Sequence, residues 1–477
     1  MEVKEKKKMD VSMDMSNVEK TSSNAKLGWG ERIAYGLGDY AGNLVYSLIT
    51  AFLLVYYTEA CGINAASAAS VMAISRIFDG VSDLVMGRVV DRTHTKWGKA
   101  RPWLIRAAIP LALSTVLMFS VPAGFSEGAK IAYAFITYNL VSTVFFTMLN
   151  VPYASMQGMM TTNQYERGVL GNVRMLLATF GTMTINTVVP YLVGAFGAND
   201  TGRGWTYTTV ILMVAFLAIN MITFSVCKER AQDASDNSEG GVNQPSVVDA
   251  LKSLVKNKYW VLNVLLLFSM YFMMSTFFGS NYYYAQYVLK NPGAYSVLSN
   301  ALSLSQMGIM FLTPAIMKKV PKRWLAIIGM GLSGFGFILT GLAGTNVSIV
   351  LVSNVIKGIG FGCGAATMWG LLQDSITYGQ WYTGVQAVGM GNSASSFTTK
   401  IGSGLGTACL GWILAAGNFN ADPTGDASIM AINVAVIVIP IIAVAICCVC
   451  MLLFDLDKKY DRVVNDLEKG IWKDGTF

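Results

Sequence analysis

Twelve apolar stretches, each about 20 residues or longer, divide this chain, and about 20 residues is what a helix needs to cross a bilayer. They fall near residues 33–58, 66–90, 103–122, 130–156, 168–196 and 206–227. After a polar break they resume near 258–288, 295–317, 324–343, 347–373, 386–416 and 428–454. Composition agrees with this pattern. Only 13% of the residues are charged, against roughly 25% in soluble globular proteins, and 53% are hydrophobic. That deficit excludes a soluble enzyme. The expected fold class is an all-α membrane protein with twelve transmembrane helices and little mass outside the bilayer.

The single histidine, His94, leaves no two-histidine metal site and no histidine proton relay. The seven cysteines lie in or beside apolar stretches. Cys447 and Cys450 form a CxxC pair inside one, where they read as small packing residues rather than a redox or metal motif. The N-terminus, MEVKEKKKMDVSMDMS, is charged and has no apolar core, so it is not a signal peptide. No nucleophile–base pair and no metal cluster argues for catalysis. The expectation is a transporter rather than an enzyme, without cofactor or nucleic-acid partner, monomeric in the bilayer.

Basic residues set the orientation. Alternate loops and both tails hold most of the 35 Lys and Arg, while the opposite loops hold only Lys130, Arg203 and Lys290. Positive loops stay inside, so both termini are expected in the cytoplasm of a cell-membrane protein. The expected organisation is a cytoplasmic tail over 1–32, a bundle over 33–227, a linker over 228–256, a second bundle over 257–455 and a tail over 456–477. The linker is Gly/Ser/Asn-rich and flexible in composition. Its end, SVVDALKSLVKNKYW, reads as a short amphipathic helix on the inner face. KWGKARPW (96–103) and KKVPKRW (318–324) occupy matching places in the two halves, a faint echo of a duplicated transporter.

Asp79 and Asp83 lie inside the second span at i,i+4, on one helical face. Each intramembrane charge costs about 2.5–3.5 kcal/mol on insertion scales. Two like charges one turn apart stay ionised only beside a cation, a proton or an arginine. Arg76, one turn earlier, can neutralise one of them. The pair reads as a site for sodium or a proton, which Ser82 and a hydroxyl from another helix can complete. Asn43, four residues after Asp39, lies in the first span, and Asn150 lies in the fourth, followed by Pro152 and Tyr153. Buried amides offer the donors and acceptors that sugar hydroxyls need. Arg174 and Lys400 are cations deep in the fifth and eleventh spans. Each can hold an acidic sugar or pair with the aspartates. Lys357 in the tenth span is a further intramembrane cation. Asp374 closes the tenth stretch, and Tyr378, Trp381 and Tyr382 follow in what reads as an aromatic inner loop and gate. Trp369 is a candidate for stacking on a sugar ring.

Five segments, in order, carry a resemblance: YGLGDYAGNLVYS, RIFDGVSDLVMGRVVDRTHTKWGKARPW, FTMLNVPYAS, DSITYGQWYTGV and SFTTKIGSGLG. Together they resemble the glycoside–pentoside–hexuronide:cation symporters over about residues 28–465. The resemblance implies a major-facilitator fold, two six-helix bundles, a central sugar site and alternating access. It implies that Asp79, Asp83 and Thr147 hold the coupling ion, sodium or proton. It places Asn43 and Asn150 where the family has sugar-gripping aspartates, Arg174 and Lys400 at sugar-site cations, and Ser396 at a neighbouring polar position. The chain also departs from the pattern. Ala154 replaces the family's stacking tryptophan, Gln386 a characteristic arginine and Gln380 an acid. The amides remove negative charge and ease acceptance of an anionic sugar, while Gln386 leaves a neutral β-glycoside or pentoside open. An uncoupled facilitator or exporter, with a structural aspartate pair, is the alternative. A membrane sugar sensor or enzyme is the reading from another class.

Overall fold

The computed structural model describes residues 27–476 except 94, 162–163, 198–200, 231–246, 318, 386–387, 470 and 474. His94, Gln386, most of the N-terminal tail and the centre of the linker lie outside the described residues. Span 1 runs Trp29–Val55 and ends in a π turn, Tyr56–Ala60. Span 2 is Ala65–Asp91. Span 3 is Arg101–Arg106 followed by Ala108–Met118. Span 4 is Glu127–Asn139, a π segment Leu140–Phe146, and Thr147–Met160. Span 5 is Gln164–Phe196 and span 6 Thr201–Val226. The linker ends in the expected amphipathic helix, Val247–Lys256. Span 7 is Lys258–Tyr283 with a π turn, Tyr284–Val288. Span 8 is Ala294–Met317, span 9 Lys322–Leu342, span 10 Val347–Thr383 and span 11 Val388–Ala416. Span 12 is Asp426–Asn433, a π turn Val434–Val438, and Ile439–Leu453. A tail helix, Tyr460–Glu468, and a hairpin of two-residue strands, Ile471–Trp472 and Gly475–Thr476, follow.

Eight of these runs are apolar and long enough to cross a membrane by composition alone. The other four, spans 2, 3, 8 and 11, are charged, split, or rich in Ser, Asn and Gly, and they cross within the bundle. Polar side chains start several helices. Asn257 accepts from the Tyr259 and Trp260 N–H groups, and Asn346 from those of Ser348 and Ile349.

The packing repeats. Span 1 lies on spans 5 and 6, span 2 on span 4, and span 3 on span 6. Six spans later, span 7 lies on spans 11 and 12, span 8 on span 10, and span 9 on span 12. The bundles meet where span 2 packs on span 11, span 5 on span 8, and span 1 on span 7. This is the major-facilitator architecture of two six-helix bundles, a duplicated unit closed about a pseudo-twofold axis.

Twelve spans put both chain ends on one side, the terminal side. On the opposite, distal side the bundles are sealed. The two symmetry-related π turns face each other there. Thr58 Oγ1 lies 2.8 Å from the Tyr283 hydroxyl, and the Tyr287 hydroxyl donates to Glu59 Oε1 at 3.0 Å. Tyr295 donates to Asn186 Oδ1 at 2.9 Å, and Asn300 to Thr187 at 2.7 Å. Asn420 bridges to span 2 by donating to the Ile63 carbonyl and accepting from Ala65 N–H. Gly411 lets spans 11 and 2 touch at this end: a Cβ there would overlap the Ala69 Cβ.

Two expectations need correction. The first helix begins at Trp29, not 33, because Arg32 is anchored by a bidentate ion pair to buried Glu166 at 2.8–3.1 Å. The expected inner loop after Asp374 is helix through Thr383, ended by Gly384 at φ 70°. It stays helical because it has partners. Tyr378 packs edge-on against Tyr259 at 4.7 Å, Trp381 Nε1 donates to Asp466 of the tail helix at 3.1 Å, and Lys473 N–H donates to the Trp381 carbonyl. Gly379 is pressed to within 2.7 Å (as a Cβ) of the Asn257 amide, which donates to the Ser375 carbonyl.

Gly411→Val is expected to wedge the distal seal. Overpacking costs about 1–3 kcal/mol, so the sealed state loses about 5–150-fold in relative population. Labelling of a cysteine placed at Thr58, buried in the seal, by a membrane-impermeant maleimide from the distal side should rise accordingly.

Candidate functional site

The two aspartates sit near the middle of span 2, on the seam with span 11. Asp79 is buried, and three groups donate to it. Arg76 Nη1 lies 3.3 Å from Oδ2, Ser142 Oγ 2.9 Å from Oδ2, and Thr143 Oγ1 2.5 Å from Oδ1. Asp83 accepts from Thr147 Oγ1 at 3.1 Å and is ion-paired to Lys400 of the opposite bundle. Lys400 Nζ also donates to the Asp79 backbone carbonyl at 3.0 Å. Ser82 Oγ lies 2.9 Å from that same carbonyl and 3.2 Å from Thr147 Oγ1. Two carboxylates thus face two cations, and the cluster is formally neutral.

The π segment of span 4 makes this geometry. Ser142 and Thr143 are adjacent and both reach Asp79, while Thr147 one turn on reaches Asp83. A regular α-helix points neighbours about 100° apart, and a π segment widens the turn, a device found at functional sites. A cavity of about 140 Å³ opens on the cluster, lined by Arg76, Asp79, Asp83, Thr147, Lys400 and Ser403 among others. Its oxygens are carboxylate, hydroxyl and carbonyl, the set a hard cation takes.

Beside it lies a second cavity of about 370 Å³, lined by Asp39, Asn43, Tyr46, Asn150, Tyr153, Arg174, Asn220 and Tyr271 among others. Arg174 Nε donates to Asp39 Oδ2 at 3.0 Å, and its guanidinium lies 5.1 Å from the Tyr153 ring centroid. Asn43 donates to the Asp39 backbone carbonyl and lines the cavity. Asn150 stands exposed and lines both cavities. The Tyr153 hydroxyl donates its proton to the Tyr35 carbonyl at 2.6 Å, and the two tyrosines stack. A third space of about 620 Å³, bounded by Gln157, Asn172, Met274, Ser303 and Gln306, shares Asp39, Asn43 and Arg174 with the second.

The structure therefore gathers Asp79, Asp83, Thr147 and Lys400 at one cavity, with Ser82 hydrogen-bonded behind them, and Asp39, Asn43, Asn150, Tyr153 and Arg174 at its neighbour. Other candidates lie elsewhere. Ser396 and Trp369 are exposed and line none of these three cavities. Asp374 is ion-paired to Lys322 at 2.7 Å, Tyr378 packs on Tyr259 of span 7, and Trp381 belongs to the contact with the tail. Lys357 is buried inside the second bundle, donates to Thr340 Oγ1 at 3.0 Å and lies over the Phe277 and Phe337 rings. Sequence reasoning missed Ser142, Thr143, Tyr46, Asn220 and Tyr271. Only the hydroxyl pair carried a signal, four and five residues before Thr147 on the same helix.

Thr143→Val keeps the shape of the side chain and removes one donor from the Asp79 carboxylate. Hydrogen bonds to charged groups contribute about 1.5–3 kcal/mol, so a fall in the melting temperature of the detergent-solubilised protein is expected, smaller for Thr147→Val at the more exposed Asp83.

The chain matches the model of the MFS/sugar transport protein family over residues 34–458. It is 32% identical over 446 residues to the isoprimeverose transporter of Lactiplantibacillus pentosus, covering 92% of this chain and 91% of that protein. It is 29% identical over 451 residues to the glucuronide carrier protein homolog of Escherichia coli (strain K12), covering 93% and 96%. Among solved structures, the nucleoside transporter NupG superposes with a TM-score of 0.62 at 13% identity, over 89% of this chain and 99% of the other. That likeness concerns the fold. By its match along nearly the whole sequence, the chain is a member of the MFS/sugar transport protein family, a membrane transporter and not an enzyme.

Proposed function

We propose that the protein imports a glycoside together with a cation, sodium or proton, by alternating access. One observation carries this reading: a carboxylate pair ringed by hydroxyls sits on the seam between the bundles, one wall away from a polar cavity of sugar size. The relatives named for isoprimeverose and glucuronide transport support the substrate class. The terminal side is taken as cytoplasmic, from the placement of Lys and Arg. The distal seal then makes this the inward-facing state, at the stage of the cycle where sugar and ion leave.

Lys400 gives the mechanism its form. Its ammonium holds Asp83 in place of a coupling ion. An incoming cation binds at Asp79, Asp83, Ser82 and Thr147 by displacing that ammonium. With Arg76 already on Asp79, the neutral cluster has no place for a third positive charge, so ion binding loosens the span 2–span 11 seam and favours the opposite state. Cation and sugar raise each other's affinity by one common factor, since coupling is reciprocal.

A neutral glycoside is favoured over a uronide. Asp39 already neutralises Arg174, so the sugar cavity holds no spare positive charge for a carboxylate. Asn43, Asn150 and Asn220 serve hydroxyl groups. The facilitator reading has one observation in its favour, the formal neutrality of the aspartate cluster without any ion.

Uptake into proteoliposomes separates these readings. Labelled isoprimeverose and a labelled β-glucuronide are offered under a sodium gradient at constant pH, then under a pH gradient. Uphill accumulation of the neutral sugar under one gradient is expected, and none under either rejects symport. Asp83→Asn should abolish accumulation and retain sugar exchange, whereas a facilitator would show no difference. Lys400→Gln removes the competing ammonium. If the pair holds even about 1.4 kcal/mol, cation affinity without sugar rises about tenfold, read from cation-dependent thermal stabilisation.

A further inference from the structure

The two central cavities share a partition one side chain thick. Tyr46, Phe146, Asn150 and Tyr271 line both. Three of them belong to the first bundle, on spans 1 and 4. Tyr271, on span 7, is the one side chain of the second bundle among those lining the sugar-sized cavity.

Tyr271 is also mechanically joined to Lys400. Span 7 lies against span 11 with almost no side chain between them. A Cβ on Gly402 would sit 2.7 Å from the Phe268 carbonyl oxygen, and one on Gly406 would overlap that of Phe272. Tyr271 lies between these two carbonyls in sequence, and Gly402 follows Lys400 by two residues. Ser275 and Thr407 hydroxyls meet at 2.7 Å, and Thr276 Oγ1 donates to the Gly406 carbonyl at 3.0 Å. Backbones in such contact move as one body, because close-packed surfaces do not slide continuously.

We propose that Tyr271 is the positioning residue through which the second bundle senses the sugar, its ring forming a movable section of the wall between sugar and ion sites. This inference rests on the symport reading. When a cation displaces Lys400 from Asp83, span 11 shifts and carries span 7 with it. The Tyr271 ring then moves relative to Tyr46, Phe146 and Asn150, which are fixed in the other bundle. Its apolar ring face and hydroxyl suit a sugar, which presents C–H and O–H groups together. Ion occupancy is thereby converted into a change in the shape of the sugar cavity, and the converse follows from reciprocity.

The test is the ratio of sugar affinities with and without the coupling cation. Binding of isoprimeverose and of a β-glucuronide to purified protein is measured in sodium and in choline, at low and high pH. Wild type, Tyr271→Phe and Tyr271→Ala are compared. In wild type the cation should tighten sugar binding, within the usual range of about 5–150-fold. Tyr271→Phe keeps the ring and should keep the ratio, while losing about fivefold in affinity if its hydroxyl donates to the sugar. Tyr271→Ala should bring the ratio to about one; cation-dependent thermal stabilisation is measured beside it, and its loss would make Tyr271 part of the ion site itself and overturn the inference. A ratio in Tyr271→Ala within about twofold of wild type overturns the inference and leaves symport standing. So does a Phe variant that loses the ratio as Ala does, since the ring would then not be the working part. A wild type that binds neither sugar, or binds it without regard to cation, overturns the proposed function and this inference with it.

Discussion

Four charges, Arg76, Asp79, Asp83 and Lys400, meet near the middle of the chain's most polar span, and their balance sets the rest of the structure. Each alone is costly in a bilayer. Together they cancel, provided that span 11 delivers its lysine to span 2. The junction between the bundles is therefore electrostatic at its centre and steric at its distal end, where Gly411 lets the backbones touch. A buried ion pair is weak evidence for stability but strong evidence against losing one partner. That asymmetry suits a device that must come apart only when a substitute charge arrives.

Much of this was legible in the sequence, for physical reasons. A bilayer enforces long apolar helices, so twelve spans and their order could be read directly. Intramembrane charge is rare, so Asp79, Asp83, Arg174 and Lys400 stood out against an apolar background. Their partners stood out only in part: Arg76 and Lys400 for the aspartates were legible, and the partner of Arg174 was not. Asp39 and Arg174 are 135 residues apart, and only tertiary packing joins them. Ser142 and Thr143 depend on a π segment that no residue pattern announces. Tyr271 reads as one more aromatic in an apolar run. The extension of span 10 to Thr383 was hidden because its stabilising contacts come from Asp466 and Lys473, in a tail that composition alone describes as polar.

Polar groups with strong side-chain partners also mark where the protein is not expected to work. Lys357, enclosed by two phenylalanine rings and the Thr340 hydroxyl, and Glu166, held on Arg32, are as deeply buried as Asp79, yet neither lines a described cavity. Burial of charge singles out candidates, and adjacency to a cavity on the seam sorts them.

The wall of the sugar-sized cavity has one further consequence. Apart from Tyr271, its lining comes from the first six spans, while the second six supply Lys400 and half of the distal seal. The two halves share a fold and hold different offices. A new cargo can be accommodated by rewriting a handful of positions on spans 1, 4, 5 and 6, with the span 2 aspartates, Lys400 and the distal closure left untouched. Duplication here yields an adjustable grip beside a constant engine, and chains of this architecture can diverge in what they carry faster than in how they move.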